Sequence, residues 1–276
     1  MEIRHSPDPE RYPRLTTGEL RAGYLVQDLF RPGMANLLYT DLDRAILGGV
    51  VPTKQKLSLA TSKELASSYF CERREIGVIN IGGNGAVVVD GKEFALLKRD
   101  CLYIGRGSKQ VEFTSANEQE PAWFFLVSYP AHAAHPTRLA TVKEATAVDL
   151  GSAQDANQRT IRKYIHTGGI PSCQLVMGFT ELKPGSVWNS MPPHTHERRT
   201  EIYLYFDLAA DAAVFHFMGR AGETRHVVMH NGEAVLSPPW STHFGAGTRN
   251  YSFIWAMGGE NQEFADMDPI AVKDLK

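Results

Sequence analysis

Short apolar segments separated by turn-forming residues restrict the fold of this chain more than any other feature. One series runs from about residue 37 to 127 and a second from about residue 173 to 255. Neither series contains a long amphipathic helical stretch. Asp90 and Gly91 stand between two alternating runs, which is a strong signal for a two-residue β-hairpin turn. Short strands at this spacing predict an all-β protein built from sandwiches or barrels.

The two series resemble each other weakly, which predicts a duplicated architecture. Residues 71–75 are similar to residues 196–201, and residues 100–104 are similar to residues 233–237. An Ala-rich, Pro-punctuated stretch between them suits a connecting segment. We therefore predict four parts, which are an N-terminal arm at 1–35 with a short helix over 17–29, a first half at 36–135, a connecting segment at 136–160 and a second half at 161–276.

Composition excludes several classes of partner. The chain has 29 basic and 31 acidic residues, a net charge of −2 and no long run of one sign, so neither nucleic acid nor an anionic membrane is indicated. Three scattered cysteines fit a reducing compartment. The first residues lack the apolar core of a signal peptide, and no apolar run approaches the roughly 20 residues of a membrane span. We expect a soluble, cytoplasmic protein that acts on a small molecule.

Four side chains in the second half form a candidate metal-ligand set. His194 and His196 are two residues apart, and strand alternation would direct both to the same face. Glu201 follows inside a strand-like run, and His243 follows another such run. Imidazoles and a carboxylate on one face are the ligands that divalent transition metals prefer.

The first half lacks most of this set. On the offsets of the weak repeat, Tyr69, Cys71, Glu75 and Gln110 stand where the second half has its three histidines and Glu201. Only the carboxylate is retained. The first half is therefore predicted to be a degenerate structural copy without metal.

The spacing of these ligands resembles the two motifs of the cupin superfamily. The first motif is matched by His194, His196 and Glu201, and the second by Gly232, Pro238 and His243. Trp240 stands where the second motif usually has Gly, which affects the turn and leaves the ligands in place. This resemblance implies two cupin-like β-barrels, a bicupin, with all four ligands facing a pocket inside the second barrel.

Longer motifs resemble one family within that superfamily, the 5-keto-4-deoxyuronate isomerases. These motifs are Pro193 to Arg199, Thr224 to Asn231, Gly259 to Gln262 and, in the first half, Glu72 to Gly83. The similarity covers essentially the whole chain. It implies one Zn²⁺ per chain, a homohexamer, and conversion of 4-deoxy-L-threo-5-hexosulose uronate to 3-deoxy-D-glycero-2,5-hexodiulosonate in the degradation of pectin or related polyuronates.

The sequence leaves the other site residues open. An aldose to ketose conversion needs a base to carry a proton, and the candidates are Lys163, Tyr164, Glu197, His226 or a water on the metal. The carboxylate of a uronate should meet a cation, preferably an arginine. For this role we select Arg162, Lys163 and Arg225.

Two other function classes fit the same ligands. Cupins with three histidines and one glutamate also bind iron, nickel or manganese and act as dioxygenases. A sugar-binding or regulatory cupin without catalysis is the second alternative, although no helix-turn-helix segment is evident. Metal content, oxygen dependence and turnover of the uronate separate these alternatives from an isomerase.

Overall fold

Strands make up most of the regular structure in the computed structural model, which describes residues 1–276. From the N-terminus, the strands are β1 (Glu2–Arg4), β2 (Leu25–Val26), β3 (Met34–Thr40), β4 (Ile46–Val51), β5 (Leu57–Ser58), β6 (Arg74–Asn80), β7 (Gly85–Val89), β8 (Lys92–Leu96), β9 (Cys101–Ile104), β10 (Val111–Ser115), β11 (Phe124–Pro130) and β12 (Arg138–Ala140). They continue as β13 (Thr146–Leu150), β14 (Arg159–Ile165), β15 (Val176–Leu182), β16 (Trp188–Asn189), β17 (His194–Thr195), β18 (Arg199–Phe206), β19 (Val214–Arg220), β20 (Glu223–Met229), β21 (Ala234–Ser237), β22 (Thr242–Gly247), β23 (Ser252–Gly259) and β24 (Asp268–Pro269).

Helical structure is short. The one α-helix is α1 (Thr17–Tyr24), and single 3-10 turns occupy Tyr12–Arg14, Leu42–Arg44, Lys63–Leu65, Phe70–Glu72 and Val272–Asp274. Thr16 caps α1 and forms a capping box with Glu19. The helix ends at Tyr24 rather than Leu29 because the chain continues as β2. No helix is long and apolar enough to cross a membrane.

The chain forms two compact units with the same sheet topology. The first unit has a seven-stranded sheet in the order β1-β3-β4-β11-β6-β9-β12 and a four-stranded sheet in the order β5-β10-β7-β8. The second unit repeats this with β13-β14-β15-β23-β18-β21-β2 and β16-β22-β19-β20. The duplicated all-β architecture predicted from the sequence is confirmed, and each unit has the paired sheets of a cupin-like barrel.

The bounds of the units differ from those of the predicted segments. The first unit comprises residues 1–4, 28–145 and 164–176, and the second comprises 5–27, 146–163 and 177–276. Most of the predicted arm therefore belongs to the second unit, where β2 pairs with β21. The predicted connecting segment 136–160 contains β12, β13 and the first residues of β14.

Local turn chemistry explains the hairpin of the first unit. β7 and β8 pair with Val89 opposite Lys92, so the loop consists of two residues. Asp90 has φ 48° and Gly91 has φ 83°. Two positive φ angles match the twist of the strands, and Asp-Gly adopts them readily. This hairpin was predicted from the sequence.

The interior of the first unit contains apolar side chains and one hydrogen-bonded carboxylate. Its core includes Val78, Val87, Phe113 and Leu126, all fully buried. Glu75 is also fully buried, and its carboxylate accepts hydrogen bonds from the backbone N–H groups of residues 173, 174 and 175 at 2.7, 2.9 and 2.9 Å. The hydroxyl of Tyr103 donates a further bond at 2.8 Å. The carboxylate at the position matching Glu201 thus holds a loop.

Candidate metal centre

Three histidines and one glutamate converge in the second unit. His194, His196, Glu201 and His243 each place one ligand atom within 4.8 Å of the others. The Oε2 atom of Glu201 lies 3.0 Å from His196 Nε2 and 2.8 Å from His243 Nε2. The Nε2 atoms of His243 and His194 are 3.1 Å apart. All four side chains therefore direct a donor atom at one point.

Three different strands position these side chains. Glu201 lies on β18, between β21 and β23, and its side chain shares a face with Tyr203 and Tyr205. His194 lies on β17, a two-residue strand that pairs with β24, and His196 follows it directly. His243 lies on β22, opposite Met218 of β19, so it belongs to a strand that the sequence did not predict. The centre is assembled from both sheets of the barrel.

Hydrogen bonds at the Nδ1 atoms orient two of the imidazoles. His196 Nδ1 lies 2.9 Å from the carbonyl oxygen of Arg199, and His243 Nδ1 lies 3.0 Å from Ser237 Oγ. A carbonyl oxygen only accepts, so Nδ1 of His196 carries a proton, and Nε2 is the atom directed at the cluster. Metal-binding histidines are held in this way in other proteins.

Burial and mutual proximity set the charge of the cluster. Burial, followed by the proximity of His243, lowers the pKa of His194 to about 3, so this imidazole is neutral. Burial opposes ionisation of Glu201, but His243 and the hydrogen bonds from His196 and His243 outweigh it and hold the pKa well below its usual range. Burial also opposes protonation of His196, yet its bond to Glu201 raises the pKa.

A cavity opens beside two of the candidate ligands. His194 and Glu201 line it, and its empty volume is about 710 Å³ including the mouth. Five aromatic or sulfur-containing side chains on one part of the chain contribute to its wall, namely Phe253, Trp255, Met257, Phe264 and Met267. A ligand of a few heavy atoms bound to the cluster would be largely removed from water.

Polar residues that the sequence analysis did not select also face this cavity. Tyr203 and Ser190 line it, and their hydroxyl oxygens are 2.9 Å apart. Burial, then the charge of Glu201, raises the pKa of Tyr203 well above its ordinary value, so the phenol stays protonated. Strand alternation from Glu201 was the available signal for Tyr203. Arg159, at the start of β14, is the single lysine or arginine in the cavity wall.

The residues after His196 hold a segment beside the cavity. Residues 260–270, here called the C-terminal strap, contribute Phe264 and Met267 to the wall. Arg199 is fully buried, and its two terminal nitrogens donate to the carbonyl oxygens of Glu263 and Asp266 at 2.7 and 2.8 Å. Arg198 pairs with Asp266 at 2.7 Å. Arg198 and Arg199 therefore have a structural role, which is to hold the C-terminal strap.

The four protein candidates for the base do not belong to the cavity wall. Tyr164 is buried in the first unit, where its hydroxyl donates to the carbonyl of Arg99. Glu197 is exposed, and His226 is exposed on β20 with its ring beside Phe215 and Phe217. Lys163 lies 4.8 Å above the ring of Phe264. None of the four lines the cavity.

The predicted carboxylate-binding residues are engaged elsewhere. Arg162 forms an ion pair with Glu181 at 3.1 Å. Arg225 donates to the carbonyl oxygen of Leu15 and lies 3.5 Å from that of Tyr12. Neither arginine belongs to the cavity wall.

The donor set fits a divalent transition metal. Three imidazole nitrogens and one carboxylate oxygen, which already converge, match the ligands of zinc and related ions. Without a cation, the nitrogens of His194 and His243 face each other at 3.1 Å with a neutral His194. A cation at the common point would satisfy all four lone pairs.

Sequence comparison finds named relatives that match the chain over its full length. A family model described as the KduI/IolB family matches residues 30–272. A protein from Halalkalibacterium halodurans named 4-deoxy-L-threo-5-hexosulose-uronate ketol-isomerase is 52% identical over 276 residues, and the alignment covers 100% of both chains.

Solved structures share the fold at low sequence identity. An IolB-like protein from Salmonella typhimurium superposes with a TM-score of 0.72 at 13% identity, covering 90% of this chain and 96% of the other. Oxalate decarboxylase from Bacillus subtilis, with Mn(II) centres, has a TM-score of 0.55 at 11% identity and coverages of 81% and 71%. These likenesses support the cupin-like fold.

Proposed function

Because the chain belongs to the KduI/IolB family, we propose that it converts 4-deoxy-L-threo-5-hexosulose uronate to 3-deoxy-D-glycero-2,5-hexodiulosonate. Curated relatives with about half of their residues identical over the full length are named as ketol-isomerases of this uronate. The reaction class is an intramolecular oxidation and reduction, in which an aldehyde at C1 becomes an alcohol and the alcohol at C2 becomes a ketone. The enzyme needs no external oxidant or reductant.

One observation carries this proposal, which is that the His3Glu cluster borders a mostly apolar cavity. Proton transfer between C1 and C2 passes through an enediolate, so negative charge must be stabilised at the oxygens. A divalent ion bound by the cluster supplies this as a Lewis acid. Three neutral imidazoles and one carboxylate would leave a net charge of about +1 at the site.

The residues of the chain would orient and shield the substrate. A metal held by His194 and Glu201 would lie at the cavity wall, and the apolar side chains around them would exclude water. The hydroxyl groups of Tyr203 and Ser190 lie in the same wall and can donate hydrogen bonds to substrate oxygens. A low local dielectric strengthens each of these polar contacts.

Zinc is the metal we propose, at one ion per chain. Its support is the nitrogen-rich donor set and the fact that this isomerisation requires no change of oxidation state at the metal. The origin of the uronate in pectin or related polyuronates, a cytoplasmic location and a homohexameric assembly rest on the family resemblance. Light scattering of the purified protein tests the hexamer, whose expected mass is six times 30.6 kDa.

The decisive experiment combines metal analysis with turnover. Purified protein is incubated without oxygen with 4-deoxy-L-threo-5-hexosulose uronate, and loss of the aldehyde and gain of the C2 ketone are followed by NMR. We expect conversion, about one zinc per chain, and no oxygen uptake when the assay is repeated in air. Bound iron with oxygen uptake would favour a dioxygenase, and binding without conversion would favour a sugar-binding protein.

A further inference from the structure

Arg159 is a cation without an anionic partner in the wall of the cavity. Its Nη1 atom donates to the carbonyl oxygen of Asn157 at 2.9 Å, and it forms no ion pair with a carboxylate. The side chain is partly buried, and burial lowers its pKa from the ordinary value while the guanidinium stays charged. Burying a charge is costly unless an opposite charge or hydrogen bonds compensate.

The position of Arg159 follows from its strand. Arg159 and Ile161 both line the cavity, as expected for alternate residues of β14. Arg162 lies on the other face, where Glu181 neutralises it. Lys163 shares the face of Arg159, but its ammonium group lies over the ring of Phe264 and outside the wall. Arg159 is therefore the one positively charged side chain in the wall that a ligand in the cavity would meet.

We propose that Arg159 binds the carboxylate of a uronate whose carbonyl end lies at the His194, His196, Glu201 and His243 cluster. This assignment rests on the proposed function and specifies how the substrate is oriented. Apart from the metal cluster, the wall holds no other cationic side chain that could bind an anion. A guanidinium can meet a carboxylate with two parallel hydrogen bonds, which fixes direction as well as charge. Neutral aldoses of the same length would lack this contact and bind more weakly.

The test uses two six-carbon probes that differ in one group. L-gulonate carries a carboxylate where D-glucitol carries a hydroxymethyl group, and neither can be isomerised. Calorimetric titration of the metal-loaded protein should show at least a tenfold preference for L-gulonate. Arg159→Gln should weaken L-gulonate binding by about 10- to 100-fold, the range of a lost charge-assisted contact. It should leave D-glucitol binding and metal content unchanged.

Two further variants control for indirect effects. Arg162→Gln makes the same chemical change on the opposite face of β14 and should keep the preference. Arg159→Lys keeps the positive charge but cannot form two parallel hydrogen bonds to a carboxylate, so it should retain part of the preference for L-gulonate. If Arg159→Gln prefers L-gulonate as strongly as the wild type does, the assignment is overturned, and the carboxylate binds elsewhere, for example at the metal. A wild type that shows no preference for L-gulonate would also overturn it.

Kinetics separate this assignment from the proposed function. With the uronate as substrate, Arg159→Gln should raise KM by about 10- to 100-fold and change kcat less. If the wild type does not isomerise the uronate, the proposed function fails while the binding result stands. If it does isomerise the uronate and Arg159→Gln has the wild-type KM, only the role of Arg159 fails.

Discussion

Ser237 Oγ lies 3.0 Å from His243 Nδ1, and Ser237 is also the residue paired with Glu201 across β18 and β21. One serine therefore stands beside one candidate ligand and fixes the ring of another. With Nδ1 held at the serine, Nε2 is directed at the common point of the four ligands. The orientation of His243 depends on a residue that carries no ligand atom itself.

Ser237→Ala should weaken metal binding by about tenfold or more, because residues that orient metal ligands typically contribute this much. Competition with a chromogenic chelator measures the affinity. Ser252→Ala removes another buried serine, located on β23, and serves as the control. Equal affinities in both variants would mean that His243 is oriented by packing alone.

His243→Ala should lose both the metal and the activity, whereas Gln110→Ala should keep both. Gln110 is exposed and stands at the corresponding position of the first unit. Elemental analysis after dialysis measures the metal per chain. Metal loss in Gln110→Ala would contradict a first unit without a metal role.

Glu75→Gln should destabilise the protein without removing the metal. The variant loses a buried carboxylate that accepts three backbone N–H groups and one phenol, so we expect a loss of about 3 kcal/mol in the free energy of unfolding. Denaturant unfolding measures it. Glu93→Gln, at an exposed position of β8, should change stability by less than about 0.5 kcal/mol. A stable Glu75→Gln would show that the loop is held by other contacts.

Arg199→Lys should loosen the C-terminal strap. Lysine cannot reproduce the two bonds of Arg199 to the carbonyl oxygens of Glu263 and Asp266. Chymotrypsin should then cleave after Phe264 several-fold faster than in the wild type, as followed by mass spectrometry. Arg249→Lys, which changes an exposed pair with Asp211, is the control. If the cleavage rate is unchanged in Arg199→Lys, contacts other than those of Arg199 hold the strap.

Thiol titration should distinguish one cysteine from the other two. Cys71 and Cys101 are fully buried, and burial raises the pKa of Cys71 to about 12 and that of Cys101 further. Cys173 is partly exposed. A disulfide reagent at pH 8 should therefore modify one thiol in the native protein and three after unfolding. Cys173→Ser should abolish the native reaction, and a persisting reaction would assign it to another thiol.

The sequence by itself was enough for the architecture and for the identity of the four candidate ligands. Alternating apolar runs specify strands locally, and Asp90-Gly91 specifies its turn through the φ angles that those residues adopt. The convergence of His194, His196 and Glu201 was predictable from their spacing because the three residues lie within one short stretch of chain. Glu75 was recognised as the retained carboxylate of the first half.

Only the tertiary structure decided what surrounds those ligands. β22, which carries His243, is stabilised by pairing with β19 and β16, so its own sequence gave little signal. The selection of Arg162, Lys163 and Arg225 rested on charge, but pairing with Glu181, stacking on Phe264 and bonding to Leu15 place all three outside the cavity wall. Arg159 stands in that wall because of the register of β14 and the folding of β18 and β23 around it, and such long-range packing has no local sequence pattern.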